Sequence, residues 1–265
     1  MLEAEYTPQE IMTIAAARRL KKETVCFVGI GLPSAAANLA RLTHAPGVVL
    51  IYESGTIGAK PAVLPLSIGD GELAESADTV VSVPEVLRYW LQAGRVDVGF
   101  LGAAQIDKFG NINTTTIGGS YEVPKVRLPG AGGAPEIATA AKEVNIILKQ
   151  SKRTFVEKLD FVTSSGFCAG QDGSWDGRTP GRGRGPTTVI TDLGVMAATP
   201  DSRELTLQWM HPGVTVEQVK EATSWKLKVA DEVRRTPAPT AEELATLRDL
   251  HARTAAAHGA VASTE

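Results

Sequence analysis

The run Val48-Val49-Leu50-Ile51-Tyr52-Glu53-Ser54-Gly55 decides how this chain is read. Its β-branched and large apolar residues stop at a single carboxylate, and two small residues follow. A strand without polar alternation is buried on both faces, the condition of a parallel sheet with helices above and below. In open sheets of this kind ligands bind outside the carboxyl ends of the strands, so Glu53 points toward a crevice. Ser54 and Gly55 keep the space beside it free of bulk. Taken alone, the same residues also describe an ordinary strand end heading a turn.

Working outward supplies the rest of the sheet. Upstream, Val25 to Val28 reads as a strand, Gly29-Ile30-Gly31-Leu32-Pro33 as a turn, and Ser34 to Thr43 as a helix. With the strand ending at Glu53 they make a βαβ unit, whose crossover should be right-handed. Gly29 and Gly31 followed by an acidic residue about 20 positions on also match part of a dinucleotide-binding fingerprint, although Ser34 stands where the third glycine belongs. A nucleotide- or metabolite-binding protein without covalent chemistry therefore stays open. Earlier still, Thr7-Pro8-Gln9-Glu10 is a helix start, with a hydroxyl cap, a proline at the first position and a glutamate that closes a capping box.

Downstream, Gly58 to Ser76 is rich in Gly, Pro and small residues and is expected to line the mouth of the crevice. Strands follow at Thr79–Val83 and Val96–Leu101, with a helix from Pro84 to Gly94 between them. After Gly102-Ala103-Ala104-Gln105-Ile106, the segment Asp107 to Asn113 is dense in turn formers, which on its own could be simple turn punctuation. Both stretches lie past a strand's carboxyl end, which makes Gln105, Asn111 and Asn113 candidates for the pocket. Further strands are expected at Asn145–Lys149, Asp160–Thr163, Val189–Thr191 and Leu205–Met210, and a helix at Val216–Thr223. Thr240 with Glu243 caps a final helix beyond Pro237 and Pro239, and the Ala- and Ser-rich tail past His258 should fray. The organisation expected is one domain over 1–235 and a C-terminal helix and tail over 236–265.

A second stretch carries chemistry. Gly130-Ala131-Gly132-Gly133-Ala134-Pro135 lets successive backbone N–H groups point one way, the arrangement that binds a phosphate or an oxyanion. The alternative is a merely flexible loop. The Gly170–Gly185 segment, with Trp175, Arg178, Arg182 and Arg184, offers cations for an anionic ligand or is simply a solvated loop.

Composition bounds the remainder. The chain has 265 residues, 43% hydrophobic, with a net charge of −3, which leaves no basic footprint for nucleic acid. Two cysteines far apart in sequence suit a reduced, cytoplasmic protein, and no apolar run reaches membrane-spanning length. The four histidines show no metal-ligand spacing, and no serine sits in a nucleophile elbow. His211, before Pro212-Gly213, suits a turn better than a general base, and Cys26 suits strand packing. Glu53 is the best-placed reactive group, and no metal site is expected.

With Glu53 and the glycine stretch in hand, the chain resembles the β subunits of family I CoA-transferases, glutaconate CoA-transferase above all. The likeness rests on Gly29-Ile30-Gly31-Leu32-Pro33, Glu53-Ser54-Gly55, Gly102-Ala103-Ala104-Gln105-Ile106-Asp107, Gly110-Asn111-Ile112-Asn113, Gly130-Ala131-Gly132-Gly133-Ala134 and His211-Pro212-Gly213-Val214-Thr215. It runs from Thr7 to about Leu227. The resemblance implies an α/β fold of the CoA-transferase type, an open, mostly parallel sheet flanked by helices. It implies a ping-pong reaction in which Glu53 becomes a γ-glutamyl-CoA thioester, with CoA as substrate and no permanently bound cofactor. By the same likeness Gly130, Gly132, Gly133 and Ala134 would hold an oxyanion or CoA. Ser54, Gly55, Gly29, Gly31, Gln105, Asn111 and Asn113 would line the substrate pocket. An α subunit, in an α2β2 assembly, would complete the active site. Hydrolases and carbon–carbon lyases built on the same scaffold are the competing reading.

Overall fold

The computed structural model describes residues 5–167 and 181–262. In chain order its strands are β1 (Val25–Val28), β2 (Val49–Ile51), β3 (Thr56–Ile57), β4 (Thr79–Val80), β5 (Val98–Gly102), β6 (Gln105–Ile106), β7 (Ile112–Asn113), β8 (Thr116–Gly119), β9 (Pro124–Arg127), β10 (Glu143–Ile147), β11 (Pro186–Ile190), β12 (Gly194–Ala198), β13 (Leu205–Met210) and β14 (Lys228–Arg235). The helices are α1 (Pro8–Ala17), α2 (Leu32–Leu42), α3 (Gly71–Glu75), α4 (Val83–Glu85, continued by a π-helical turn Val86–Leu91), α5 (Ala134–Ala140), α6 (Val216–Glu221) and α7 (Ala241–Ala262).

One ten-stranded sheet runs in the order β14-β13-β12-β11-β10-β5-β1-β2-β3-β4. Its centre, β2-β1-β5-β10-β11, is parallel throughout. These are the strands with unbroken apolar runs, and Phe27, Leu50, Ile51 and Phe100 are fully buried. On one face α1, α2 and α7 cover Cys26, Leu50, Tyr52, Phe100 and Ile147. On the other, α5, α6 and the π-helical turn cover Phe27, Ile51, Leu101 and Ile146. The expected class, a mostly parallel sheet flanked by helices, is the one observed.

The differences from the sequence reading lie at the sheet's edges and beside it. Between Glu53 and the stretch that begins at Gly58, the chain turns back as β3, a strand antiparallel to β2 that the sequence did not mark. The strand expected over Thr79–Val83 shortens to β4, whose two residues are exposed at the sheet's edge. At Asp160–Thr163 there is no strand, only an isolated bridge between Ser164 and Ile112. The other edge, β12 to β14, joins by antiparallel and then parallel pairing. β14 carries Lys228, Asp231, Glu232, Arg234 and Arg235, charges that guard a free edge against pairing with another chain. The final helix continues past His258 to Ala262.

Capping agrees with the sequence in detail. Thr7 and Glu10 exchange bonds across the first turn of α1, as Thr240 and Glu243 do ahead of α7. Rather than trailing off, α7 packs Leu244 and Leu247 into the same core as α1 and α2. Arg18 grips Glu243 through two bonds of 2.6 Å and donates to the carbonyls of Pro237 and Ala238.

Candidate active site

Across the sheet the five parallel strands stand in the order β2-β1-β5-β10-β11. The chain steps from β1 outward to β2, then returns to the far side of β1 with β5. Connections on the two sides of β1 and β5 therefore leave in opposite directions, and a crevice opens at their carboxyl ends. A cavity of about 370 Å³ occupies that place. Gly29 and Ile30 line it from the end of β1, Glu53 from the end of β2, and Gly102 to Ala104 from the end of β5.

The strand end that carries Glu53 is held from both directions. The Gly55 N–H donates to the Tyr52 carbonyl, and the Tyr52 N–H to the Thr56 carbonyl, each at 3.0 Å. Tyr52 points into the α2 face and is fully buried. Its hydroxyl lies 3.0 Å from Ser34 Oγ and accepts from Asn38 Nδ2 at 3.2 Å. Burial pushes the phenol up to about 12, against the pull of those two bonds. Ser34, at the position of a missing third glycine, is thus committed to the core. Gly55 has φ 97°, and a Cβ there would collide with the Val81 carbonyl oxygen. Its smallness lets the chain turn beneath β4; it does not clear a path for substrate. The hydroxyl of Ser54 is buried with no hydrogen-bond partner among the described residues.

Facing Glu53 is the glycine stretch. The Gly130 N–H donates to the Thr114 carbonyl at 2.9 Å, and Thr114 Oγ1 donates back to the Gly130 carbonyl at 2.8 Å, so the loop is pinned at its entrance. A second bond, Ala134 N–H to the Ala131 carbonyl at 3.0 Å, closes the turn before α5. A Cβ at Gly132 would lie 3.3 Å from Glu53 Oε2, and one at Gly133 3.0 Å from Glu53 Cδ. Backbone therefore covers the carboxylate directly. Among the described residues no backbone acceptor takes the N–H groups of Gly132 and Gly133.

The other sequence candidates divide sharply. Gly29, Gly130 and Ala134 line the cavity with Glu53. Gly31 does not; it caps the start of α2. Gln105, Asn111 and Asn113 lie outside the cavity lining, and their side chains serve the β6–β7 hairpin. Asn113 Nδ2 donates to Gln105 Oε1 at 2.8 Å and to the Thr116 carbonyl at 2.6 Å, while Gln105 Nε2 donates to the Asp160 carboxylate at 2.6 Å. Asn111 pairs with Asp107 and accepts from the Gly166 N–H. Burial raises the Asp107 carboxyl, opposed by the donors of Asn111 and Phe109.

His211 is buried, with Nε2 2.8 Å from the Thr191 carbonyl and Nδ1 3.0 Å from Thr236 Oγ1, and burial lowers its pKa. Arg184 pairs with Glu143 at the amino end of β10, and Arg182 reaches the Gln92 carbonyl. Both arginines thus stand at the opposite end of the strands from the cavity. Trp175, Arg178 and Cys168 lie outside the described residues. Ile68 lines the cavity from the Gly58–Ser76 segment that the sequence sets at its mouth, whereas Thr114 and Leu128 are lining residues that the sequence did not single out. A threonine among three in a row and an isolated aliphatic residue carry no local signal.

What the arrangement can do is specific. A strand-end carboxylate that borders a cavity, with backbone donors over it, suits attack on an acyl carbonyl and stabilisation of the oxyanion that follows. Comparison with known proteins points the same way. The chain is 66% identical to the β subunit of 3-oxoadipate CoA-transferase from Pseudomonas knackmussii over 96% of each chain. It is 34% identical to the β subunit of glutaconate CoA-transferase from Acidaminococcus fermentans over 86% of each. The crystal structure of glutaconate coenzyme A-transferase from Acidaminococcus fermentans superposes with a TM-score of 0.83 at 31% identity, covering 93% of this chain and 95% of that one. A family model described as Coenzyme A transferase matches residues 9–222. With the switch-point crevice, the strand-end glutamate and the glycine turn converging on one cavity, the chain belongs to the coenzyme A transferase family.

Proposed function

We propose that this chain is the β subunit of a 3-oxoadipate CoA-transferase, moving CoA from an acyl-CoA donor onto a dicarboxylic oxo acid through a covalent intermediate on Glu53. The relative at 66% identity supports the substrate. The observation that carries the mechanism is the Glu53 carboxylate in the crevice beneath Gly132 and Gly133.

The Glu53 carboxylate attacks the thioester carbonyl and expels CoA as thiolate, leaving a mixed anhydride. The thiolate then attacks the glutamyl carbonyl, and the donor's acid departs. Glu53 now carries CoA as a thioester, and an incoming carboxylate reverses both steps. A carboxylate serves here because it is both a nucleophile and a carbonyl able to bear CoA. Every step passes through a tetrahedral oxyanion, for which the N–H groups of Gly132 and Gly133 are suited donors. Gly130 and Ala134 position that turn, and Gly29 borders the acyl group. CoA enters as substrate, and no permanently bound cofactor belongs to the scheme.

The relatives are named as single subunits of their enzymes, which supports an α subunit as obligate partner, and we place the pair in an α2β2 assembly in the cytoplasm. Acceptor dependence tests the reaction. With the co-expressed partner, transfer should require 3-oxoadipate and produce its CoA ester as donor is consumed. Release of free CoA at the same rate with and without acceptor would replace transfer by hydrolysis.

A further inference from the structure

One wall of the cavity is contributed by a residue far from the strand ends. Ile68 lines the pocket although it is 41% exposed, and its neighbour Leu66 is 68% exposed. Exposed loops ordinarily give their backbone groups to water. Here the loop is strapped. Thr254 Oγ1 accepts from the Leu64 N–H at 2.9 Å, and His258 Nε2 donates to the Leu64 carbonyl at 3.0 Å. Arg253 donates to the Ala62 carbonyl, and Arg41 Nη2 to the Pro61 carbonyl at 2.8 Å. Thr254, His258 and Arg253 all belong to α7, which docks on the core through Leu244 and Leu247.

The far side of the loop is held as firmly. Asp70 accepts from the Leu66 N–H at 3.0 Å and from the Glu72 N–H at 3.2 Å, so one carboxylate closes the turn and caps α3. The Asp70 N–H returns to the Ser67 carbonyl at 3.2 Å. Ile68 therefore sits at the tip of a five-residue turn, Leu66 to Asp70, which Asp70 closes onto α3 and which follows directly on the Ala62–Leu64 segment that α7 holds. A side chain that touches a bound molecule discriminates only as well as its backbone is held.

We propose that the turn Leu66–Asp70 is the selectivity wall of the pocket, with Ile68 meeting the carbon chain of the acyl group and Thr254 and His258 as its positioning residues. This rests on reading the cavity as the acyl site. Ile68 is apolar, so it reads chain length between the two carboxylates and not charge. The strap lies in residues 241–262, beyond the last position of the family match at residue 222. Selectivity is thereby set by a segment separate from the elements that carry Glu53.

The test uses the co-expressed complex and three straight-chain dicarboxylic acceptors of about four, five and six carbons. Ile68→Ala should change the kcat/KM ratio between the longest and shortest acceptor by about tenfold, the scale of one or two methylenes in an apolar pocket, acting on KM more than on kcat. The double variant Thr254→Val, His258→Leu should shift the same ratio in the same direction and speed amide exchange at Leu64 and Leu66 by about tenfold or more. Unchanged acceptor ratios in Ile68→Ala, or unchanged ratios in a double variant whose exchange has quickened, would overturn the proposal. If the double variant does not fold, Ile68→Ala decides, since its side chain is already partly in solvent. Absence of any CoA adduct or transfer in the wild-type complex would instead remove the reading of the site, and this inference with it.

Discussion

At Gly133 the backbone has φ −83°, an ordinary value for alanine, yet a Cβ there would lie 3.0 Å from Glu53 Cδ. Gly133→Ala is therefore a steric test without backbone strain. Either the carboxylate or the loop must shift, and turnover should fall about ten- to a hundredfold while the melting temperature stays within a few degrees. Unchanged turnover would remove the loop from the chemistry. Gly55→Ala tests the opposite case, in which the fold and not the site requires glycine. With φ 97° and the Val81 oxygen in the way, the urea midpoint should report a loss of about 2 kcal/mol or more. Glu53 and the glycine stretch were legible because their signals are local, a buried run ending in a charge and a cluster of small residues. Gln105, Asn111 and Asn113 carry polarity and turn chemistry in equal measure. In sequence a side chain that binds its own hairpin looks the same as one that faces a ligand.

Among the elements, α7 is tied to α1 by two ion pairs, Arg18 with Glu243 and Arg248 with Glu10. The Arg248 guanidinium holds the Glu10 carboxyl down to about 2 from 4.5. Burial alone would raise Glu243, but the Arg18 guanidinium and the Thr240 amide outweigh it and the pKa is lowered. A folded pKa below the unfolded one adds stability that is complete above the unfolded value and is lost as pH falls through the folded one. For Glu10 that window runs from about 4.5 down to about 2. The urea midpoint of Glu10→Gln should decline less steeply than the wild type over this range, and parallel curves would contradict the linkage. The caps at Thr7 and Thr240 could be read directly, because a capping box is local, its two partners three positions apart. β3, β12, β14 and the β8–β9 hairpin could not. β3 has only two residues, β12 is a run of small residues around Val195 and Met196, and β14 and the β8–β9 hairpin are largely exposed, so none carries an apolar alternation long enough to mark it.

For the whole molecule, the order of several motifs along 265 residues is more informative than any one of them. The order β2-β1-β5 explains why Gly29, Glu53 and Gly102 converge although 73 positions separate the outer two. What the sequence could not convey is the reach of α7 back to the pocket loop, a contact across about 190 positions carried by single hydrogen bonds. As one half of the proposed assembly, the chain purified alone should show no CoA transfer, and adding its α subunit should restore it. Full activity of the isolated chain would contradict the partner's role. The central claim, that Glu53 carries CoA, is tested most directly by intact-subunit mass spectrometry of the complex after incubation with acyl-CoA and no acceptor. The account predicts a CoA adduct that borohydride traps and peptide mapping places on Glu53, absent in Glu53→Gln. Sustained turnover by Glu53→Gln, or an adduct on another residue, would contradict it.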